Sequence, residues 1–443
     1  MRIFKISESS SHHMIQSIRN YLLSLYKRII SSIAFYPALI LIAYFILAAI
    51  LLTIEESVIS QWLIDNTPFL VMDNADTARS ILTTIIGGSI SLMVFSFTMV
   101  MMILNQAGSS FSPRLIPGLI SDKRNQVVLG IYLGTIVFNI LVLMGIRPEE
   151  NEYTLNVLAI LIGVISSITC LVLFIYFIHT ISNSLQINNI LVRIFDDCKN
   201  GMTYLLNSEQ VESAEHSIEH SFVIKSEKSG YFQDVNIPGL LKKANSNQVN
   251  IRILPLKGDY LLAGVDALSI DRSIDEDLAE DLLSYIIYST SKDVRDNYFL
   301  GFKQIMEVGL KAMSPGINDP GTAIITLDRL TELFALRMRL GDRLIHQPKG
   351  IVYIVEEQTI TFHDLLYKIY ASYRQYCKHD YNLMEKLINL LKYLHHQEAH
   401  HQHYYQSIQQ QLNILKAECE DNIENRSDRT KLIELIDSIS LNN

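Results

Sequence analysis

The stretch "ILTTIIGGSISLMVFSFTMVMMIL", Ile81 to Leu104, decides the fold because it contains no Asp, Glu, Lys or Arg. A helix that crosses the hydrocarbon core of a bilayer needs about 20 such residues, and this stretch is long enough. Three further uncharged runs follow the same pattern: Ala34 to Ile54, Val127 to Ile146 and Leu155 to His179. The sequence therefore predicts four transmembrane helices.

Flanking charge predicts how these helices are oriented. Basic residues are retained on the cytoplasmic side during insertion, and they precede span one and lie between spans two and three, whereas the loop after span one is acidic and the turn after span three reads "PEENEYT". We therefore expect both termini in the cytoplasm and contact with membrane lipid. The basic residues are Arg2, Lys5, Arg19, Lys27, Arg28, Arg114, Lys123 and Arg124.

The rest of the 443-residue chain is more polar, and with 49% hydrophobic and 19% charged residues overall the composition indicates a mixed architecture. Alternating apolar residues in "QVNIRILPLKGDYLLAGVDAL" predict strands and hairpins, and helical periodicity resumes afterwards. We predict a membrane α-helical protein with a four-span bundle and a cytoplasmic α+β domain. Its parts are an amphipathic segment (1–33), the transmembrane domain (34–180), a linking helix (181–219), a small β-rich subdomain (220–270) and a helical domain (271–443).

Several function classes are disfavoured by what the sequence contains. A net charge of −9 without a basic stripe argues against a nucleic-acid partner. The common phosphate-binding, dinucleotide-binding, serine-hydrolase and zinc-protease motifs do not occur, so an enzyme is disfavoured and no cofactor is predicted. The four cysteines are far apart, and we expect reduced thiols.

Small and polar residues form a stripe on span two. At about 100° per residue they fall on one helix face, which either packs closely against another helix or lines a pathway. Span three adds Gly130 and Gly134 at GxxxG spacing, which favours helix association within one subunit or in a homo-oligomer. The stripe consists of Thr84, Gly87, Gly88, Ser91, Thr98 and Asn105.

The stretch "KAMSPGINDPGTA", Lys311 to Ala323, has an unusual composition between two apolar helices. Pro315 disfavours helix before it, and Asp319 with Pro320 is a helix-start signal, so a corner between two helices is one interpretation. A corner does not require the remaining polar residues, and a helix N-terminus can bind an anion. The alternative is a ligand or interface site formed by Ser314, Asn318, Asp319 and Thr322.

The run "HHQEAHHQH" places His396, His400 and His403 at i, i+4 and i+7, on one face of a predicted helix. Imidazoles at this spacing can hold a transition metal. A solvated, Gln-rich and His-rich helix explains the run equally well.

Two long motifs resemble a known family. The stretch "GLKAMSPGINDPGTAIITLDRL" and the second and third spans with their connecting loop look like domain-of-unknown-function family 2254, bacterial predicted membrane proteins. The resemblance extends roughly from residue 20 to residue 350, and implies four amino-terminal spans in a bacterial inner membrane and a cytoplasmic carboxy-terminal half. It implies no established activity.

Two function hypotheses follow from these features. One is a channel or transporter whose cytoplasmic domain regulates the spans. The other is a non-conducting scaffold or signalling protein that binds a ligand or partner at the Ser314 to Thr322 loop. The transported species, the ligand and the number of subunits are not encoded in any pattern that we recognise.

Overall fold

The computed structural model describes residues 34–53, 75–110, 123–146, 157–184, 187–207, 211–212, 222–289, 297–347 and 352–440. The chain divides into two compact units, Met1–Gln186 and Ile187–Asn443. The predicted amphipathic segment (1–33) and most of the charged loop residues that set the predicted orientation lie outside the described residues.

The described residues of the first unit form four helices that are long and apolar enough to cross a membrane, which confirms the four-span prediction. Helix α2 has 36 residues, about 54 Å at 1.5 Å per residue, and so extends beyond a hydrocarbon core of about 30 Å. The helices are α1 (Phe35–Thr53), α2 (Ala75–Ser110), α3 (Lys123–Gly145) and α4 (Val157–Ser184).

Helix α3 is the centre of this unit, because it packs against α1, α2 and α4. Two of its glycines allow α1 to approach closely. A Cβ added at Gly134 would lie 2.7 Å from the Tyr44 ring, and one added at Gly130 would lie 2.9 Å from Ile40 Cδ1. In a lipid environment, where hydrophobicity does not drive helices together, such close packing supplies the association energy.

The second unit begins with α5 (Ile187–Asn207) and then forms two antiparallel or mixed sheets around one core. The larger sheet has the strand order β1-β8-β9-β4-β6-β2, in which only β4 and β9 run parallel; the smaller has the order β5-β3-β7. The strands are β1 (Val211–Glu212), β2 (Phe222–Lys225), β3 (Gly230–Val235), β4 (Ile251–Ile253), β5 (Tyr260–Leu261), β6 (Asp266–Ile270), β7 (Ile286–Ser289), β8 (Arg343–His346) and β9 (Val355–Gln358).

The sheets are therefore not confined to residues 220–270. Strands β7, β8 and β9 lie in the segment that the sequence assigned to a helical domain, and β9 pairs directly with β4. A four-residue strand such as Val355–Gln358, with two glutamates, shows too little apolar alternation for its pairing to be seen in the sequence.

The helices Ile237–Asn247 and Glu276–Leu283 contribute to the core of the sheets, whereas the later helices of the second unit pack mainly against one another. Several begin with a side chain that accepts a hydrogen bond from the first turn, as helix starts require. An aromatic chain runs through the core from Phe302 to Phe334, Phe362 and Tyr404, with successive ring centroids 4.9, 6.1 and 4.7 Å apart. The helices are α6 (Ile237–Asn247), α7 (Glu276–Leu283), α8 (Tyr298–Ala312), α9 (Pro320–Arg337), α10 (Phe362–Cys377), α11 (Tyr381–His395), α12 (His403–Asn422) and α13 (Arg426–Ser440).

Candidate functional site

The interior of the span bundle carries a polar face on α3. Tyr132, Thr135 and Asn139 follow one another at turn spacing on this face, and each is fully buried. The fourth span supplies Ser167 and Cys170 to the same interior: the Asn139 amide donates to Ser167 Oγ at 3.2 Å, and the Cys170 thiol donates to Thr135 Oγ1 at 3.4 Å. The bundle interior is therefore lined by neutral hydrogen-bonding groups.

Part of this polar interior lacks partners. Within the described residues, the buried Oδ1 of Asn139 accepts no hydrogen bond, whereas the buried hydroxyls of Tyr132 and Ser96 interact with each other. Removing such a group from water without a partner costs about 1 to 3 kcal/mol or more. Sequence reasoning placed Asn139 on span three but did not recognise the set, because its members come from three helices whose rotation about their axes is not readable from sequence.

The predicted stripe of α2 lies on the outside of the bundle, unlike the buried polar face of α3. Thr84, Gly88, Ser91, Thr98 and Asn105 are all exposed, and nothing lies within 4 Å of a Cβ added at Gly88. The three hydroxyls donate to the carbonyl four residues earlier, at 2.8, 3.0 and 2.8 Å. Among the described residues, the stripe thus makes no close packing contact inside its own bundle. Its hydroxyls can face lipid or another subunit because they already have acceptors.

The Lys311 to Ala323 stretch forms a tight corner between α8 and α9. Ser314 Oγ donates to the Lys311 carbonyl at 2.7 Å, and the Ser314 carbonyl accepts from the amides of Ile317 and Asn318. Asn318 has a φ of 48°, in the left-handed region that Asn tolerates better than most residues. Each of these residues therefore has a function in shaping the turn.

The start of α9 uses the other two polar residues of the corner. Asp319 caps the helix: its Oδ1 accepts from the Thr322 amide at 3.1 Å and its Oδ2 accepts from the Thr322 hydroxyl at 2.6 Å. The hydrogen bonds from the Thr322 hydroxyl and amide lower the pKa of Asp319. The carboxylate that could repel or bind a ligand is already engaged within its own helix turn.

The histidine run does not lie on one helix face. Helix α11 ends at His395, His396 is its C-cap, and α12 begins at His403, so the prediction of a single helix is wrong here. The break coincides with "QEAHHQ", where few apolar residues are available to hold a helix against the core. Among the described residues, no three His, Cys, Asp or Glu side chains are placed to hold a metal ion.

Two adjacent glutamates in β9 form the most heavily charged buried cluster of the second unit, and sequence reasoning missed them. Glu356 accepts from Arg252 Nε at 3.0 Å and lies 3.4 Å from Arg343 Nη1. Because neighbouring residues of a strand point to opposite faces, Glu357 lies on the other side of the sheet, facing Lys257 Nζ at 3.2 Å and His346 Nε2 at 3.3 Å.

The Glu357 carboxylate belongs to a chain of ion pairs, in which Lys257 is shared with a second carboxylate. Lys257, in the loop between β4 and β5, also contacts Asp234 of β3 at 2.8 Å. Ion pairs thus join this loop to the small sheet and to two strands of the large sheet. Burial opposes ionisation of Glu357, but His346 and Lys257 outweigh it and its pKa is lowered. The pKa of Lys257 is raised, because its two carboxylates outweigh its own burial. A Glu-Glu pair inside the apolar "VYIVEEQTITF" was the one available signal.

A second buried charge ties the helices together. Arg337 is fully buried and donates to Asp342 Oδ1 at 2.6 Å and to the carbonyls of Leu340 and Ile360 at 3.0 and 2.8 Å. Asp342 also accepts from the Phe362 amide at 2.8 Å. Burial opposes ionisation of Asp342, but Arg337, the Phe362 amide and the Tyr404 hydroxyl together outweigh it and lower the pKa of Asp342. This arrangement fixes the start of α10 against the end of α9.

Four membrane-crossing helices followed by a separate unit of mixed α and β structure define a polytopic membrane protein. The chain belongs to the family described as "Predicted membrane protein (DUF2254)", whose model matches residues 30–393.

Three curated relatives carry the name "Uncharacterized protein". The chain is 24% identical over 268 residues to uncharacterized proteins of Mycobacterium bovis and Mycobacterium tuberculosis, a match that covers 57% of this chain and 51% of each relative. The chain thus spans about half the length of the curated relatives it matches. No solved structure matches it.

Proposed function

We propose that this protein moves a small solute across the membrane through the interior of its span bundle, and that the second unit supports or regulates the bundle. The observation that carries this proposal is the buried polar face of α3, Tyr132, Thr135 and Asn139, in contact with the polar residues of α4. Polar groups at membrane depth are costly, and they usually mark a pathway or a binding site.

The proposal also includes a membrane orientation and a subunit contact, both of which were predicted from the sequence. We place the protein in a bacterial inner membrane with both termini and the second unit in the cytoplasm, which rests on the flanking charges. We also place a second copy of the chain against the α2 stripe, because Gly88 and Ser91 expose a face that fits close helix packing.

The competing class is a non-conducting scaffold that binds a ligand or partner at the corner between α8 and α9. Ser314, Asp319 and Thr322 all make hydrogen bonds within the corner itself. Their presence is accounted for without a ligand, and we therefore favour the span bundle as the functional part.

Flux measurements in proteoliposomes test the proposal. The purified chain is reconstituted, and permeability is measured for water, small neutral solutes and common ions. We expect solute flux in the wild type, retention in Ser91→Leu, which alters the exposed stripe, and loss in Asn139→Leu, which alters the buried face. If solute flux is lost in Ser91→Leu but not in Asn139→Leu, the pathway lies between subunits and not inside the bundle. Absence of flux for every solute in the wild type would contradict the proposal.

A further inference from the structure

We infer that the span bundle opens along one seam, which separates helices α1 and α3 from helices α2 and α4. The inference rests on the proposed function, because a pathway through an interior whose side chains are fully buried requires some of the helices to part. The seam is the contact surface of α3 with α2 and α4. It is formed by Tyr132, Thr135 and Asn139 of α3, Ser96 of α2, and Ser167 and Cys170 of α4.

Helices α1 and α3 interlock along their length. Three glycines of α3 each face a side chain of α1, which lies 2.9, 2.7 and 2.6 Å from the Cβ that a larger residue would add. The contacts follow one another in the same order on both helices, so α1 and α3 run parallel. Close packing of this kind leaves little freedom to slide or rotate, and α1 and α3 therefore move as one body. The pairs are Gly130 with Ile40, Gly134 with Tyr44, and Gly145 with Leu52.

Helices α2 and α4 form the second pair. The rings of Phe95 on α2 and Phe174 on α4 meet edge to face, with centroids 5.7 Å apart. Aromatic rings in this geometry attract each other beyond the effect of the area that they bury. This contact involves neither α1 nor α3, so α2 and α4 remain joined when α3 moves away from them.

The contacts across the seam are of a different kind, because each joins two polar side chains. Hydrogen bonds between membrane helices contribute modestly on average, since their groups find other partners when the helices separate. Water that enters an opened seam supplies such partners. The three contacts are Tyr132 with Ser96, Asn139 Nδ2 donating to Ser167 Oγ at 3.2 Å, and the Cys170 thiol donating to Thr135 Oγ1 at 3.4 Å.

The closed seam leaves one polar atom without a partner. Oδ1 of Asn139 is buried, packs against Gly163 of α4 and accepts no hydrogen bond among the described residues. A buried acceptor in this state destabilises the closed arrangement, so opening the seam to water offsets part of the cost of separating the helices. Movement of one rigid group of helices against another is a common way for membrane proteins to open a path.

Cysteine reactivity in the two kinds of contact tests the inference. The native thiol of Cys170 lies in the seam, whereas Ala48 lies between Tyr44 and Leu52 on the face of α1 that packs on α3, and Cys170 and Ala48 are both fully buried. The full chain with Ala48→Cys is reconstituted in lipid vesicles and treated with a small charged methanethiosulfonate on both sides of the membrane. Peptide mass spectrometry then reports the modification rate at each position.

We expect Cys170 to react about ten-fold or more faster than the cysteine introduced at position 48, because a charged reagent reaches a buried thiol only when the contact around it opens. Tyr132→Phe removes the hydroxyl that interacts with Ser96 and should raise the rate at Cys170 several-fold. Leu52→Cys, on the same face of α1, replaces Ala48→Cys if that variant does not fold.

The outcomes separate the seam from the proposed function. Equal rates at the two positions, or a faster rate at position 48, overturn the seam even if the vesicles show solute flux. A faster rate at Cys170 in a protein that moves no solute supports the seam and contradicts the proposed function. An unchanged Cys170 rate in Tyr132→Phe contradicts the assignment of the polar contacts as those that hold the seam closed.

Discussion

Replacing Glu357 by Gln will destabilise the second unit at neutral pH and change how its stability depends on acid. The Glu357 carboxylate lies 3.2 Å from Lys257 Nζ and 3.3 Å from His346 Nε2, with 6% of its side chain exposed. Gln keeps the shape of the side chain but removes its charge. Lys257 then retains only Asp234, at 2.8 Å.

The cost of this substitution follows from burial. Removing one partner of a buried ion pair costs about 3 to 5 kcal/mol, and we expect about 3 kcal/mol because Asp234 still neutralises Lys257. For a unit of this size, about 1 kcal/mol shifts the midpoint of thermal unfolding by roughly 2 to 4 °C. The expected decrease in Tm is therefore about 6 to 12 °C.

The pH dependence has a definite sign. Because the folded state lowers the pKa of Glu357 below its ordinary value of 4.5, the carboxylate stabilises the fold above that value and loses this effect as pH falls through the folded pKa. Lys257, whose pKa is raised, contributes below its ordinary value of 10.5 and loses its effect at higher pH. Between pH 4.5 and pH 10.5 both charges contribute fully to the stability of the wild type. The Glu357→Gln variant lacks the loss of stability that the wild type shows when Glu357 is protonated in acid.

Thermal unfolding followed by circular dichroism between pH 3 and 8 measures both effects (about five pH values suffice). At neutral pH and in a Cys170→Ala background, a thiol-reactive dye reports the second unit specifically, because the remaining cysteines Cys198, Cys377 and Cys419 all lie in that unit and are buried. Burial raises the pKa of Cys377 to about 12 and that of Cys419 to about 11, so both thiols stay protonated until the unit unfolds.

Two controls isolate the buried charge. Asp437→Asn removes a partner of Lys416 from an ion pair whose side chains are 34% and 48% exposed, and should cost less than about 1 kcal/mol. The double variant Glu357→Leu with Lys257→Met removes both charges and should recover part of the loss. A Glu357→Gln protein that melts within about 2 °C of the wild type, with the same pH profile, would refute this account of the cluster.

Three other variants test separate parts of the structure. Asp319→Ala removes the cap of α9 and should cost about 1 kcal/mol, measured as a lower Tm; an unchanged Tm would contradict the capping role. Gly134→Leu, where an added Cβ would lie 2.7 Å from the Tyr44 ring, should lower the Tm of the first unit, whereas Gly88→Leu, where nothing lies within 4 Å, should not; equal Tm values would show that α1 does not pack as described. Arg337→Met leaves the half-buried Asp342 without its charged partner and should cost about 3 kcal/mol, seen as a lower temperature for the second unit's unfolding transition.

The sequence predicted what depends on local composition. Four uncharged runs become four helices with bounds within a few residues of those expected, apart from α2, which begins at Ala75 instead of Ile81 and ends at Ser110 instead of Leu104. The corner at Pro315, Asp319 and Pro320 has the helix end and helix start that these residues indicate. In such places the backbone preference of one or two residues determines the local structure, so no tertiary information is needed.

The sequence did not predict what depends on pairing between distant segments. Strand β9 lies about a hundred residues from its parallel partner β4, and neither Arg252 nor Glu356 indicates this contact locally. The sequence also did not predict how α2 is rotated about its own axis. A stripe with Thr84 and Ser91 on one face has the same periodicity whether that face points into the bundle or away from it. The corner also shows that Ser314 and Thr322 have structural roles that composition alone left open.

The central position of α3 has a consequence for biogenesis. Helix α1 has Ala48 as its one buried residue among those described, and the glycine surface that receives its Tyr44 belongs to α3. Because a polytopic chain is synthesised from its amino terminus, α1 and α2 enter the membrane before the helix that joins them exists. The bundle therefore matures only when the third span is released, and a nascent chain that ends before Lys123 is an assembly intermediate without its organising surface.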